Sequence, residues 1–305
     1  MQQYLEAFRL PNEAAETEFI LDHPMNQATC YSDNIYPFRI FPGKRLEQLS
    51  FAPVTVFCGG NGSGKSTLLN LIACKLELSR AAPFNHTPFF DEYLKLCRAD
   101  LTFGRGAPPD SRIITSDDVF DYLLDLRCLN NGVDARREEL FAAYEAARST
   151  PFQMRSLEDY EELKLHNEAK SRRTTRSSFT RRRLPANLWG QSNGESAFAY
   201  FTEQIREGAL YLLDEPENSL SAELQLQLVR FLEDSVRFWR CQFVLSTHSP
   251  FLLSIRDARI YDLDSIPVTV RPWTELKNVR IYHDFFERHR SDFPLEEKTL
   301  EGPAS

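Results

Sequence analysis

The stretch Gly59-Gly60-Asn61-Gly62-Ser63-Gly64-Lys65-Ser66-Thr67 constrains this chain more than any other. Two glycines five apart, followed by Lys and a hydroxyl residue, are the pattern of a loop that cradles phosphate. Before it, Pro53-Val54-Thr55-Val56-Phe57-Cys58 is apolar and β-branched and reads as a buried strand. After it, Ser66-Thr67-Leu68-Leu69-Asn70-Leu71-Ile72-Ala73 reads as a buried helix. Glycines let such a loop curl with its N–H groups inward, and the helix N-terminus adds the positive end of its dipole. In this arrangement Lys65 reaches the β- and γ-phosphates of a nucleotide, and the Ser66 hydroxyl ligates Mg²⁺.

The bulk properties narrow the setting. A chain of 305 residues can bury a sizeable core in one large α/β domain or two small ones. Its net charge of −8 argues against a protein that coats nucleic acid with its whole surface, although a local basic patch stays open. The 6 cysteines are scattered without Cys-x-x-Cys pairs or metal-ligand spacing, which predicts reduced core thiols. Without an apolar segment long enough to span a bilayer or an evident secretory signal, the sequence predicts a soluble cytoplasmic protein with no transmembrane segment.

Along the chain, Ile35-Tyr36-Pro37-Phe38-Arg39-Ile40 and Leu46-Glu47-Gln48-Leu49-Ser50-Phe51 predict two short strands in a lead-in. Tyr36, Phe38, Phe41 and Phe51 are candidates both for stacking on an adenine ring and for the core. Residues 79–116 read as irregular, broken by Pro and Gly, with a strand at Ile113-Ile114-Thr115. Ser116 reads as an N-cap with Asp117 and Asp118 in the first helical turn. Phe120, Leu123, Leu124 and Leu126 supply the apolar face of that helix, Asn131-Gly132 predicts a turn, and a second helix follows over about 135–148. Ser156-Leu157-Glu158-Asp159 opens a third, charged helix that runs into a basic segment. This segment, 164–183, ends in Arg181-Arg182-Arg183 and suits either phosphate binding or a solvated linker. From 209 the pattern is that of a parallel sheet: strands at Ala209-Leu210-Tyr211-Leu212-Leu213 and Cys241-Gln242-Phe243-Val244-Leu245-Ser246, an amphipathic helix over 222–238 between them, then two edge strands and a final helix over 279–289.

Three further pieces gather around the phosphate loop. The strand ending at Leu213 delivers Asp214-Glu215-Pro216-Glu217-Asn218 to the sheet edge where open α/β folds bind phosphates. Asp214 suits Mg²⁺ and Glu215 suits a general base for an attacking water. The next strand ends in Ser246-Thr247-His248-Ser249-Pro250, which sets His248 beside the acids to contact a γ-phosphate or that water. Upstream, Gln191-Ser192-Asn193-Gly194-Glu195-Ser196 precedes an apolar helix and offers a second helix N-terminus for an anion, or simply an N-cap.

The order of these pieces resembles the ATP-binding-cassette type of ATPase, and most closely the compact stand-alone ATPases related to the RecF, OLD and SMC head domains, often labelled AAA family. In that resemblance 59–67 is the Walker A loop, Ser192-Asn193-Gly194-Glu195 stands at the signature, and 210–215 is Walker B. Asn218-Ser219-Leu220-Ser221 is the D-loop and His248 the switch histidine. Asn193 and Glu195 depart from the transporter signature and suit the SMC-like branch. Ser116 or Asp117 stands where a Q-loop glutamine is expected. The interval from Thr67 to Ser192 is too short for SMC coiled-coil arms, and no appended nuclease domain is evident.

The resemblance implies an α/β P-loop NTPase of ABC-ATPase type, with a mostly parallel central sheet, an antiparallel β lead-in and an inserted helical lobe. It implies one domain over 1–305: a nucleotide-binding core from 1–78 and 209–290, an inserted helical and signature lobe over about 79–208, and a polar tail at 291–305. It implies ATP and Mg²⁺ as cofactors, and a homodimer with composite ATP sites in which Ser192 and Gly194 of one copy cap the γ-phosphate held by Lys65 of the other. Its implied role is a nucleotide-gated clamp or switch with a DNA or protein effector partner, in DNA repair or defence against phage and mobile elements. The alternatives are the ATPase subunit of a membrane transporter and a slow regulatory ATPase subunit that controls a partner effector.

Overall fold

The computed structural model describes residues 2–22, 35–84, 86–102, 104, 106–149 and 192–293. The predicted helix from Ser156, the basic 164–183 segment, Gln191, Cys30 and the tail from Glu296 lie outside the described residues. The chain divides into two compact units, one of residues 1–116 and 201–305 and the other of residues 117–200.

The first unit is built on a 6-stranded sheet. In chain order its strands are β3 (Val54–Cys58), β5 (Arg112–Thr115), β6 (Leu210–Asp214), β7 (Gln242–Ser246), β8 (Arg259–Asp262) and β9 (Thr269–Val270). They lie in the order β5-β6-β7-β3-β8-β9. All pairs are parallel except the hairpin-like β8 and β9 at one edge. β3 and β7 are buried at every position, as their unbroken apolar runs require, because helices cover parallel sheets on both faces. Helix α2 (Lys65–Lys75) packs under this sheet and buries Leu68, Leu69, Leu71, Ile72 and Ala73. Each fully buried Leu or Ile contributes about 1.5–3 kcal/mol relative to exposure.

A second, 3-stranded sheet is antiparallel, with β1 (Leu5–Arg9) between β2 (Gln48–Ser50) and β4 (Arg98–Leu101). The buried side chain of Gln242 in β7 ties it to the central sheet. Its Oε1 accepts from the amides of Tyr4 at 2.7 Å and Leu5 at 2.9 Å, and its Nε2 donates to the carbonyls of Leu5 at 2.9 Å and Ala52 at 3.1 Å. All four hydrogen-bonding positions of the amide are therefore used, which offsets the cost of burying it.

The antiparallel lead-in differs from the sequence expectation in its members. Residues 36–39 form turns rather than a strand, and the helix α1 (Glu13–Asp22) lies upstream. The turn brings Phe38 onto Phe19 and Tyr93, with ring centroids 5.1 and 4.9 Å apart, so aromatic packing replaced strand pairing here. Residues 79–116, expected to be mostly irregular and part of the inserted lobe, carry α3 (Phe90–Leu96), β4 and β5, and both strands pair within sheets of the first unit. The pairing partners of β4 are almost a hundred residues away in sequence, so no local signal announces it.

In the second unit, α4 (Ser116–Ser149, whose first residue belongs to the first unit) runs without a break through Asn131-Gly132, where a turn was expected. A glycine in a helix costs about 1 kcal/mol. That is less than the gain from burying Val119, Leu123, Leu140 and Tyr144 along the same helix. Helix α5 (Asn193–Gln204) opens in this unit and ends in the first. The first unit is completed by α6 (Ala222–Phe238), the short α7 (Pro250–Leu253) and α8 (Lys277–Arg288).

Candidate functional site

The loop between β3 and α2 is held by contacts that leave little choice of residue. A Cβ on Gly59 would stand 2.7 Å from Ser63 Oγ, so only glycine fits. Gly64 has φ +96°, and a Cβ there would also press on the Phe41 ring at 3.1 Å. Phe41 is fully buried, and Phe38 and Phe51 are nearly so. These three adenine-stacking candidates are therefore core side chains. Tyr36 is half-buried, and its hydroxyl donates to Thr67 Oγ1 at 3.1 Å.

Lys65 is only 5% exposed, unusual for a lysine, and its ammonium sits among protein acceptors. Nζ donates to the carbonyls of Gly59 at 2.9 Å and Gly60 at 3.3 Å and to His248 Nε2 at 2.8 Å. Glu215 Oε1 is 3.7 Å from the same nitrogen and 3.3 Å from His248 Nε2. The predicted trio of Lys65, Glu215 and His248 thus converges at the carboxyl ends of β6 and β7, beside the phosphate loop. Adjacent parallel strands in the order β6-β7-β3 bring these residues together from positions far apart in the chain.

Glu215 follows β6 in the left-handed region, with φ 49°, a conformation that a side-chain-bearing residue adopts at a cost. It is held there by its N–H, which donates to the Ser246 carbonyl at 3.0 Å, and by Asn218 Nδ2, which donates to its Oε2 at 3.2 Å. Asp214 accepts from Ser66 Oγ at 3.1 Å and from Ser246 Oγ. Burial pushes the Asp214 carboxyl above its ordinary range, and the bonds from Ser246 and Ser66 oppose that shift. A carboxylate and a hydroxyl at the sheet edge form the hard oxygen donor set that suits Mg²⁺. The narrow glycine loop with its buried lysine suits a polyphosphate.

Ser192, Asn193, Gly194 and Glu195 lie in the second unit at the start of α5. They form a reciprocal capping box. The Ser192 N–H donates to Glu195 Oε2 at 2.8 Å, and the Glu195 N–H donates to Ser192 Oγ at 3.3 Å. Ser192, Asn193 and Glu195 are exposed. The glutamate that departs from the transporter signature therefore has a local task at the helix start. Ser116, at the expected Q-loop position, is the first residue of α4, directly after β5.

Three residues beside the site were not singled out from sequence. Glu217 accepts from Thr247 Oγ1 at 2.6 Å, from the His248 N–H at 2.6 Å and from the Ser249 N–H at 3.2 Å, all on Oε1. Burial raises its proton affinity, against the pull of those donors. Asp264, just past β8, accepts the Gly60 N–H at 2.9 Å. Asn278 in α8 donates to the His248 carbonyl at 3.2 Å. Glu217 had a signal, as a second acid in the turn after β6. The other two depend on chain folding and had none.

Residues 106–254, just under half of the chain, match the family model described as "AAA domain, putative AbiEii toxin, Type IV TA system". A comparison with curated proteins found no match. Similar solved structures include the SMC head domain from Thermotoga maritima, at 13% identity over 88% of this chain and 99% of that one, TM-score 0.36. Another is an SMC head bound to the C-winged helix domain of ScpA, at 16% identity over 74% and 92%, TM-score 0.37. A third is a dimeric post-hydrolysis ATP-binding cassette bound to ADP and Pi, at 16% identity over 70% and 83%, TM-score 0.31. The family match spans both the acid turn and His248. With its glycine loop between a buried strand and a helix on a mostly parallel sheet, the first unit has the fold of a P-loop NTPase. No helix among the described residues is long and apolar enough to cross a membrane.

Proposed function

We propose that this protein is an ABC-type ATPase of the SMC- and RecF-like kind, a nucleotide-gated clamp or switch that closes as a homodimer around two ATP molecules. The convergence of Lys65, Glu215 and His248 within 3.7 Å of one another carries the reading. Lys65 and the 59–67 backbone hold the phosphates, and Ser66 and Asp214 hold Mg²⁺, which when bound offsets phosphate charge. Glu215 takes the proton of the attacking water, and His248 steadies the reacting phosphate. The capping box of α5, offered by a second copy, supplies a hydroxyl and helix-terminal N–H groups to the phosphate that one protomer leaves exposed.

Glu215→Gln tests this. The variant should lose hydrolysis by about 100-fold or more and form a stable dimer with ATP and Mg²⁺. A monomer by light scattering under those conditions would sink the clamp.

For the setting, the matched family's description names a toxin and a toxin–antitoxin system, which supports defence over DNA repair. The Glu195 departure from the transporter signature supports a soluble effector over a transporter. Turnover measured with and without single- and double-stranded DNA, at low and moderate salt, separates a nucleic-acid effector from a protein one. The nucleic-acid version fails if low salt gives no stimulation and replacing Arg181, Arg182 and Arg183 by Ala leaves binding unchanged.

A further inference from the structure

His248 is gripped by its backbone from two directions, and neither grip uses its imidazole. On one side stands Glu217, in the 3-10 turn Pro216–Ser219 that follows Glu215. Its Oε1 takes the amides of His248 and Ser249 and the hydroxyl of Thr247, all within 3.2 Å. On the other side Asn278 donates its Nδ2 to the His248 carbonyl at 3.2 Å. The amide before the ring and the carbonyl after it are thus both fixed by side chains from distant segments. We infer that Glu217 and Asn278 are positioning residues that hold the His248 imidazole against Lys65 and Glu215.

Packing alone does not account for the Glu217 arrangement. One carboxylate oxygen collects three donors, while Oε2 is buried with no hydrogen-bond partner among the described residues. Burying a carboxylate is costly, and an unpartnered oxygen adds to the cost. An apolar residue would fill the volume at less expense but would leave the His248 N–H and the Thr247 hydroxyl without their acceptor beside the ring. The arrangement also joins two segments by one side chain. Glu217 sits between Glu215, which faces Lys65, and Asn218, which donates to Glu215. A shift of that turn must drag the 247–249 segment with it, so the acid and the histidine arrive or leave together. Misplacement of a reacting group by about 1 Å costs about 100-fold in rate.

The inference rests on the assignment of His248 to the reacting phosphate, and the experiment separates the two. ATPase kinetics are measured for Glu217→Ala, Glu217→Gln and Asn278→Ala, each alone and combined with His248→Ala. Glu217→Ala should lower kcat about 30-fold with KM for ATP within about twofold, and Asn278→Ala about fivefold. Glu217→Gln keeps an oxygen for the three donors and should restore at least about half of the lost rate. In the His248→Ala background each change should cost less than about twofold, because the group being positioned is gone. In the nucleotide-free protein, amide exchange at 247–249 should speed up about tenfold in Glu217→Ala and little in Glu217→Gln. If His248→Ala by itself turns over at the parental rate, the assignment of His248 fails and this inference fails with it. If His248→Ala is slow but Glu217→Ala costs the same in both backgrounds, or leaves exchange at 247–249 unchanged, the inference alone is overturned.

Discussion

The loop that opens α2 and the loop that opens α5 are both hydroxyl-bearing turns at a helix N-terminus, yet the protein treats them in opposite ways. Around 59–67 Gly59, Ser63, Lys65 and Thr67 are turned inward, while Gly60, Asn61, Gly62 and Ser66 stay exposed. Ser63 and Lys65 are each 5% exposed, and partners come from Asp214, Glu215, His248 and Asp264. Around 192–195 the polar groups face solvent and satisfy one another through a capping box. The first loop takes its shape from contacts with distant segments. The second has a fixed local shape set by its own capping box, so a role in phosphate chemistry must come from what it meets.

Substitutions on the two loops should therefore separate binding from turnover. Lys65→Ala should weaken ATP binding about 100-fold in nucleotide titrations, because a buried charge-assisted contact is removed. Ser192→Ala should leave equilibrium binding within about twofold while lowering kcat about 100-fold, the loss expected for one donor to a reacting oxygen. Equal effects of the two on binding would break the contrast.

Stability should follow the same division on a smaller scale. Gly64→Ala forces a positive φ and a clash with Phe41 and should destabilise by about 2–3 kcal/mol in urea unfolding. Ser192→Ala removes only a helix cap and should cost about 1 kcal/mol.

The smallest effect probes the packed unit away from the loop. Glu16 is buried and accepts the Arg39 N–H at 2.7 Å and the Tyr93 hydroxyl at 3.0 Å. Burial nevertheless raises its carboxyl above the ordinary 4.5, with those bonds in opposition. A pKa higher in the folded state means that folding takes up a proton between the unfolded and folded values. The stability from Glu16 is thus complete below the unfolded value and is lost as pH rises through the folded one. Glu16→Gln, which keeps an acceptor for Arg39, should gain on the parent in Tm as pH rises from 4.5 toward neutrality. A gain that shrinks instead would mean that the two bonds outweigh burial.

Much of this was legible along the chain. The phosphate loop announced itself through glycine spacing between an apolar strand and an apolar helix, and β6, β7, α6 and α8 followed from hydrophobic runs or helical periodicity. The lead-in did not, because a Phe-rich segment at 36–39 packs as turns on α1 and α3, and strand propensity cannot foresee aromatic partners from elsewhere. The Asn131-Gly132 dipeptide misled for a related reason: turn preference is worth about 1 kcal/mol and yields to burial on both sides.

The sequence by itself determined which chemistry is available: a lysine in a glycine loop, two acids after a strand, a histidine after the next, and a serine before a helix. Those identities depend only on order and type, and local patterning carries both. Tertiary structure alone decided how they are used. Strand order set Lys65, Glu215 and His248 within reach of one another, and the fold brought Glu217 and Asn278 to the backbone of His248 and Asp264 to Gly60. Such contacts join segments that share no local signal, because hydrogen bonds between distant parts of a chain are fixed by where the core forces each segment to lie.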